Sequence, residues 1–203
     1  MTAYAALLRG VNVGGNNKLA METLRTIASG CGFGDVATYI QSGNVVFTSR
    51  LGAAKVATAL QDAILAETGI DTRVVVRTAA ELAAVASDNP FLARGVDEKL
   101  VHVSFLYPES TPTLAAVDAQ VYAPDEVEVA GANAYIHTPN GFGRSKVAAE
   151  SVIRKLGIQG TTRNWRTVST LAEMAAATDA AGRGGSRRPT RVQDRASTPA
   201  RGA

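Results

Sequence analysis

The first 77 residues alternate between two hydrophobic periods, and this alternation constrains the fold more than any other feature of the sequence. Runs typical of β-strands occur at residues 3–8, 36–40, 45–47 and 72–76. Apolar residues at helical spacing fill the first and third gaps, and these runs end at Gly32 and Gly69. The order β-α-β-β-α-β predicts a ferredoxin-like subdomain of the α+β class, with an antiparallel sheet and both helices on one face.

The second half repeats part of this order. Strands are predicted at residues 101–107, 126–129 and 134–137, and helices at 114–120, 145–156 and 163–177. The last helix stands where a fourth strand would complete the repeat. We therefore predict a tandem of two ferredoxin-like subdomains, the second irregular. The first covers residues 1–77, a connecting helix and loop cover 78–100, and the second subdomain with C-terminal helices covers 101–179.

Charge is distributed unevenly along the chain. Six of the 21 basic residues, but only one of the 18 acidic residues, lie in residues 180–203. The rest of the chain is therefore net acidic by two charges, which argues against nucleic-acid binding by the folded part. Because residues 180–203 are rich in Gly, Pro, Ser and Arg, we predict a disordered tail. This tail is either simply solvated or contacts nucleic acid weakly.

The sequence predicts a cytoplasmic protein with no membrane association and no metal site. Cys31 is the only cysteine, which excludes an intramolecular disulfide and favours a reducing compartment. The N-terminus lacks a signal-peptide pattern, and no stretch reaches the roughly 20 apolar residues of a membrane span. His102 and His137 are far apart in sequence and have no carboxylates at ligand spacing.

The segment from Arg9 to Lys18 is the first candidate for chemistry. It offers free backbone N–H groups, two cations, and glycines such as Gly14 and Gly15 that allow close approach of a ligand. These features are typical of a site for an anion or a carboxylate. The segment is not a Walker A loop, because asparagines stand where that motif requires lysine and a hydroxyl residue. The alternative is a long turn that merely needs glycine.

In the predicted topology, this segment and the hairpin after the second strand lie at the same end of the sheet. Their polar and glycine residues would form one rim: Arg9, Asn12, Gly14, Gly15, Lys18, Gln41, Ser42 and Asn44. Because the rim has no carboxylate, it favours a small anionic or nucleotide-like ligand. Arg163 and Asn164 are further candidates. At the start of the last predicted helix, Arg163 would oppose the helix dipole, which suggests an acidic partner.

The sequence identifies neither a catalytic residue nor a cofactor, so it leaves open whether the protein is an enzyme. A second class of function is an interaction module that binds protein, RNA or another copy of the chain. A third reading assigns the polar motifs a purely structural role. RNA binding is disfavoured, because the central strands carry valines and Phe47 with few cations.

Three motifs in order carry a resemblance to a known family. They are LLRGVNVGG at 7–15 with KL at 18–19, YIQSGNVVF at 39–47, and TTRNW at 161–165 with TV at 167–168. With these motifs the chain closely resembles the bacterial domain family of unknown function DUF1697, over roughly residues 3–177. The resemblance implies two ferredoxin-like subdomains in tandem. It brings no established activity.

Overall fold

The computed structural model describes residues 1–113, 119–148 and 150–184, which form an α+β fold with two four-stranded antiparallel sheets. The first sheet contains β1 (Thr2–Leu8), β2 (Gly34–Tyr39), β3 (Asn44–Ser49) and β4 (Val74–Thr78). The second contains β5 (Val101–Leu106), β6 (Glu126–Ala130), β7 (Asn133–His137) and β8 (Gly160–Asn164). The helices are α1 (Met21–Gly30), α2 (Ala53–Thr68), α3 (Ala79–Ser87), α4 (Pro90–Ala93), α5 (Glu150–Lys155) and α6 (Trp165–Gly184).

Both sheets have the same strand order. It is β2-β3-β1-β4 in the first and β6-β7-β5-β8 in the second, and every neighbouring pair is antiparallel. The β-α-β-β-α-β order predicted for the first half is confirmed, and α3 is the predicted connecting helix. In the second half, most of the helix predicted at 114–120 lies outside the described residues, and residues 119–121 form a 3₁₀ turn.

The strand β8 corrects the prediction of a helix from residue 163. β8 pairs with β5 from Gly160 opposite Leu106 to Asn164 opposite His102, and α6 begins only at Trp165. The strand has no apolar alternation, because its buried positions are occupied by Thr161 and Arg163. A period-2 hydrophobic search therefore misses it.

The helix predicted at residues 145–156 is also shorter than expected. Residues 142–144 form a 3₁₀ turn, and α5 is described only over Glu150–Lys155. The carboxylate of Asp125 accepts hydrogen bonds from the Ser145 hydroxyl and the Lys146 N–H, both at 2.8 Å. These bonds compete with helix formation at this point of the chain.

The first sheet is covered on both faces: the two helices predicted for this half lie on one face, as expected, and elements that the prediction did not place there cover the other. Ala6 and Leu8 face α1 and α2, while Ala5 and Leu7 face α3, α6 and the second sheet. Every residue of β3 is consequently buried. The face shared with the second sheet forms one continuous core, so the two halves pack directly against each other.

The helix α6 is central to this packing. Its residues Val168, Leu171 and Ala175 are fully buried in the shared core. It continues to Gly184, five residues into the predicted tail, and residues 185–203 lie outside the described part of the chain. None of the helices in the described residues is both long and apolar enough to cross a membrane.

Candidate functional site

The segment between β1 and α1 folds as a small hairpin, here called the glycine hairpin (residues 9–18). Val13 and Asn16 form an antiparallel bridge. Gly14 and Gly15 make the turn between them, with φ values of 60° and 82°. A two-residue hairpin of type I′ requires positive φ at both turn positions. These glycines therefore serve the turn, and the tip projects from the fold, since Val13 is 63% exposed.

Asn12 ties the glycine hairpin to the loop of residues 40–43. Its side-chain nitrogen donates to the carbonyls of Leu19, at 2.8 Å, and Gln41, at 2.7 Å. Its side-chain oxygen accepts from the Leu19 N–H at 2.9 Å. Both amide protons are used, so Asn12 acts as a clamp that holds the two loops together at one end of the sheet.

The guanidinium of Arg163 is buried where the two halves meet. The residue is 9% exposed and donates five hydrogen bonds. The acceptors are the Asn44 Oδ1 (2.7 Å), the Thr161 hydroxyl (2.7 Å) and the carbonyls of Thr162 (2.9 Å), Leu8 (2.7 Å) and Ser42 (3.0 Å). All five donors of the guanidinium are therefore satisfied.

The placement of Arg163 corrects its predicted role at a helix N-terminus. It lies in a strand, and within the described residues no carboxylate forms an ion pair with it. Burial lowers its pKa to about 10, and the nearby Tyr107 acts in the opposite direction. Five neutral oxygens thus replace water around this charge.

Asn44 completes the same network from the first half. It is fully buried at the start of β3, and its side-chain nitrogen donates to the carbonyl of Tyr39 (3.1 Å) and the hydroxyl of Ser42 (2.9 Å). Its oxygen accepts from Arg163. The two predicted site residues Ser42 and Asn44 are therefore brought together with Arg163, although the sequence places them about 120 residues apart.

A second buried arginine makes the reciprocal connection. Arg77 lies in β4 of the first half, and its Nη2 donates to the carbonyls of Leu106 (3.1 Å) and Ala132 (2.9 Å) in the second half. It is 9% exposed, and burial lowers its pKa. The sequence analysis missed Arg77. The available signal was a single cation in the otherwise apolar strand VVVRT.

The two arginines occupy equivalent positions. Arg77 pairs with Ala5, three residues before the end of β1, and Arg163 pairs with Val103, three residues before the end of β5. Each arginine binds the carbonyl of the last residue of the other half's first strand, Leu106 or Leu8. The register of the two sheets therefore relates the halves by an approximate two-fold symmetry.

The same register relates Asn44 to Asn133. Asn44 pairs with Leu7, and Asn133 pairs with Phe105 at the corresponding position of β5. Asn44 accepts from Arg163, whereas the buried Oδ1 of Asn133 has no hydrogen-bond partner among the described residues. The symmetry is thus incomplete at this position.

The predicted residues that remain at the surface are Arg9, Lys18, Gln41 and Asn164. All four are exposed. Asn164 caps α6, since its Oδ1 accepts from the Thr167 N–H at 2.9 Å. Arg9 and Lys18 take part in no salt bridge within the described residues. The rim therefore presents two unpaired cations beside the exposed Gln41.

Tyr107 lies beside this rim, at the position of the second half that corresponds to Arg9. The backbone N–H of Arg9 donates to the Arg73 carbonyl (2.9 Å). In the same way, the backbone N–H of Tyr107 donates to the Gln159 carbonyl (2.8 Å). The Arg73 guanidinium, which pairs with Glu109, lies 3.5 Å from the centre of the Tyr107 ring. The Tyr107 hydroxyl is buried, and no hydrogen bond of normal geometry reaches it in the described part of the chain, although the Arg9 side chain acts on its pKa as a hydrogen-bonding group. Burial raises its pKa, while the charges of Arg9 and Arg73 oppose the rise.

The described residues contain no cluster of three or more His, Cys, Asp or Glu side chains that could hold a metal ion. Cys31 contacts the Ala59 carbonyl, and burial raises the pKa of its thiol, which disfavours the reactive thiolate. The exposed Arg9, Lys18 and Gln41 side chains of the rim offer positive charge and hydrogen-bonding groups.

The fold and the buried arginines define a class of protein: an α+β protein whose two equivalent sheets are joined through a shared core. Within that class, the chain belongs to the family described as "Protein of unknown function (DUF1697)", whose model matches residues 1–135. The predicted resemblance is thereby confirmed. The third motif, at 161–168, lies beyond the matched residues.

One solved structure extends the comparison to most of the chain. The conserved bacterial protein SP0830 from Streptococcus pneumoniae is 22% identical in sequence, with a TM-score of 0.70. The match covers 87% of this chain and 99% of that protein. At this identity it supports the fold alone. The comparison with curated proteins finds no match, so the known relatives assign no function.

Proposed function

We propose that this protein binds a small anionic or nucleotide-like ligand at the rim formed by the glycine hairpin and the loop of residues 40–43. The observation that carries the proposal is the pair of exposed cations, Arg9 and Lys18, that no carboxylate neutralises within the described residues. Exposed cations beside polar groups favour an anion. Asn12 fixes the two loops that would surround the ligand.

The residues predicted for the site have different roles under this proposal. Asn12, Asn44 and Arg163 build the scaffold, because their hydrogen-bonding groups are used internally. Arg9, Lys18 and Gln41 face the ligand, because their side chains lie at the surface. Gly14 and Gly15 shape the hairpin tip, Ser42 supports Asn44, and Asn164 caps α6.

We further propose that the halves are ferredoxin-like subdomains in tandem, covering residues 1–77 and 101–179. The shared strand order and the corresponding registers support this. A location in the bacterial cytoplasm is proposed from the single, partly buried cysteine and the bacterial source of the similar structure.

A thermal-shift screen of the full chain against nucleotides and sugar phosphates tests the binding proposal. Ligand at a hundred times its dissociation constant stabilises a protein by about 2.7 kcal/mol, which raises the melting temperature by several degrees. We expect the shift to shrink in Arg9→Ala and Lys18→Ala. It should persist in the controls Arg50→Ala and Lys55→Ala, which are also exposed. Equal shifts in all four variants would place the ligand elsewhere.

A second candidate function is a protein-interaction module. Val13 and Ile40 are 63% and 48% exposed. Their loops are joined by the hydrogen bond from Asn12, which precedes Val13, to Gln41, which follows Ile40. Exposed apolar side chains on joined loops favour a protein contact. Sedimentation velocity at increasing concentration tests self-association. Val13→Ser should abolish it, whereas Leu65→Ser, on an exposed position of α2, should not.

An RNA-binding role has less support. Ferredoxin-like RNA binders stack bases on aromatic residues of an open sheet face. Both faces of the first sheet are covered here, and Phe47 in its centre is fully buried. A binding function therefore depends on the loops rather than on this sheet.

A further inference from the structure

We propose that the Tyr107 hydroxyl, together with the guanidinium groups of Arg9 and Arg73, binds the phosphate group of a phosphate monoester at the junction of the two halves. This inference rests on the proposed function, because Arg9 belongs to both sites. It adds a donor from the second half and a chemical class for the ligand.

The first argument is the state of the Tyr107 hydroxyl. The residue is 3% exposed, and no described residue makes a hydrogen bond of normal geometry with its hydroxyl, although the Arg9 side chain acts on its pKa as a hydrogen-bonding group. Buried polar atoms are nearly always paired, and an unpaired one destabilises the fold unless something binds it. Tyr4 shows the ordinary arrangement in the same protein, since its hydroxyl donates to the Leu51 carbonyl at 3.0 Å.

The second argument is the charge around that hydroxyl. Arg73 lies against the ring, the charge of Arg9 acts on the hydroxyl, and the buried Arg163 interacts electrostatically with Tyr107. The carboxylate of Glu109 opposes them, but its side chain is 52% exposed and it pairs only with Arg73 in the described residues. Three guanidinium groups against one carboxylate leave a net positive environment that favours an anion.

The charge of the ligand selects the class of anion. A phosphate monoester carries about 1.5 to 2 negative charges at pH 7, whereas a carboxylate carries one. The phosphate therefore gains more from the surrounding guanidinium groups, and its three terminal oxygens can accept from the hydroxyl and from both exposed arginines. Arginine is well suited to this task, because its planar fork matches phosphate geometry.

The third argument is position. Arg9 and Tyr107 hold corresponding places in the two halves, so the site lies where the halves meet, and such junctions often bind ligands. Two cavities of about 310 and 350 Å³ share Arg77, Tyr107 and Pro108 in their walls. Tyr107 thus borders open space, although neither Arg9 nor Arg73 lines either cavity. Arg9 is exposed and the Arg73 side chain is 45% exposed, so movement of these two side chains gives access to the hydroxyl.

The test uses ribose 5-phosphate as the probe and ribose as its uncharged control, with the full chain at constant ionic strength. The dissociation constant comes from calorimetric titration, and the melting temperature is measured without ligand. In Tyr107→Phe we expect the dissociation constant to rise about tenfold, since a charged hydrogen bond is lost. Its melting temperature should equal or exceed that of the wild type, because an unpaired buried hydroxyl is removed.

The matched control is Tyr4→Phe, which removes a paired hydroxyl. It should melt at a lower temperature and bind ribose 5-phosphate as the wild type does. Arg73→Ala should weaken binding, whereas Arg50→Ala should not. Arg50 directly follows Ser49, which pairs with Thr2 at the end of the first sheet away from the rim. Equal binding of ribose and ribose 5-phosphate would contradict a phosphate site.

Three outcomes would contradict this inference, and the last two also separate it from the proposed function. If Tyr107→Phe lowers the melting temperature as Tyr4→Phe does, its hydroxyl has a structural partner such as water, and the inference is wrong. If Lys18→Ala abolishes binding while Tyr107→Phe and Arg73→Ala bind normally, the inference is wrong and the rim site stands. If the wild type does not bind ribose 5-phosphate, the inference also fails. The thermal-shift screen against nucleotides and sugar phosphates then tests the proposed function separately.

Discussion

Replacing Arg163 with methionine tests whether this residue is a structural connector between the halves. Methionine approximates the length of the arginine stem but cannot donate hydrogen bonds. The change therefore removes all five bonds of the guanidinium and leaves its acceptors behind. It also removes the free-energy penalty of burying a charge without a carboxylate partner. The two effects have opposite signs, so the structure must decide which is larger.

The acceptors that lose the guanidinium determine the expected loss of folding stability. The Leu8 carbonyl still accepts from the Thr161 hydroxyl at 3.2 Å, and the Thr162 carbonyl belongs to a half-buried residue. The Ser42 carbonyl likewise belongs to a half-buried residue. The buried Asn44 Oδ1 and the buried Thr161 hydroxyl oxygen each lose their donor and gain none. Each unsatisfied buried acceptor costs about 1–3 kcal/mol, so we expect unfolding to become easier by about 3 kcal/mol. For a chain of this size, that corresponds to roughly 6–12 °C in melting temperature.

Urea denaturation followed by tryptophan fluorescence measures this loss directly. Trp165 is the only tryptophan, is 6% exposed, and lies two residues from Arg163. Arg166→Met is the matched control on an exposed position, and it should change stability by less than about 0.5 kcal/mol. Asn44→Ala combined with Arg163→Met should cost less than the sum of the single changes, because they remove one shared bond. An unchanged or more stable Arg163→Met would show that the burial penalty dominates and would refute the connector role.

Three further predictions concern other parts of the molecule. Gly43→Ala should destabilise the fold, because φ is 73° and an added Cβ would collide with Val11 and Leu8; thermal melting measures this, and an unchanged midpoint would contradict the geometry. Burial lowers the His102 pKa to about 4, so stability should fall as pH drops through the interval from 6.5 to 4. The expected loss between pH 7 and pH 5 is about 2 kcal/mol, and urea titrations of His102→Gln should lack that loss. Deleting residues 185–203 should leave the melting temperature unchanged, since α6 keeps every residue described in the shared core; a clear drop would mean the tail contributes to the fold.

The first half was predictable from sequence because each of its elements has a clear hydrophobic period. The strands alternate or are continuously apolar, α1 and α2 bury one stripe each, and α3 begins with a capping box at Thr78 and Glu81. The proximity of the glycine hairpin to the loop of residues 40–43 also followed from topology, and the bond from Asn12 to Gln41 bears it out. Periodicity could not predict which elements cover the second face of β1 and β3. A continuously apolar strand indicates burial on both faces but does not identify the elements that cover it.

The errors in the second half have a common physical cause. Strand β8 carries polar residues at its buried positions, and Asp125 holds residues 145–147 by side-chain bonds instead of a regular ladder. In both places, polar groups far apart in sequence satisfy one another inside the protein. A local pattern of apolar residues contains no information about such pairs. Arg77 and Tyr107 were missed for the same reason, because only the three-dimensional register reveals their partners.

The three sequence motifs at residues 7–15, 39–47 and 161–165 meet around one buried charge. Leu8 from the first motif, Ser42 and Asn44 from the second, and Thr161 from the third all bind the guanidinium of Arg163. The motifs therefore report how the two halves are joined, and most of their polar residues are not free to bind a ligand. Function has to be sought in the groups that this network leaves unpaired. Among the described residues near the junction, those groups include the exposed cations Arg9 and Lys18, the buried hydroxyl of Tyr107 and the buried Oδ1 of Asn133.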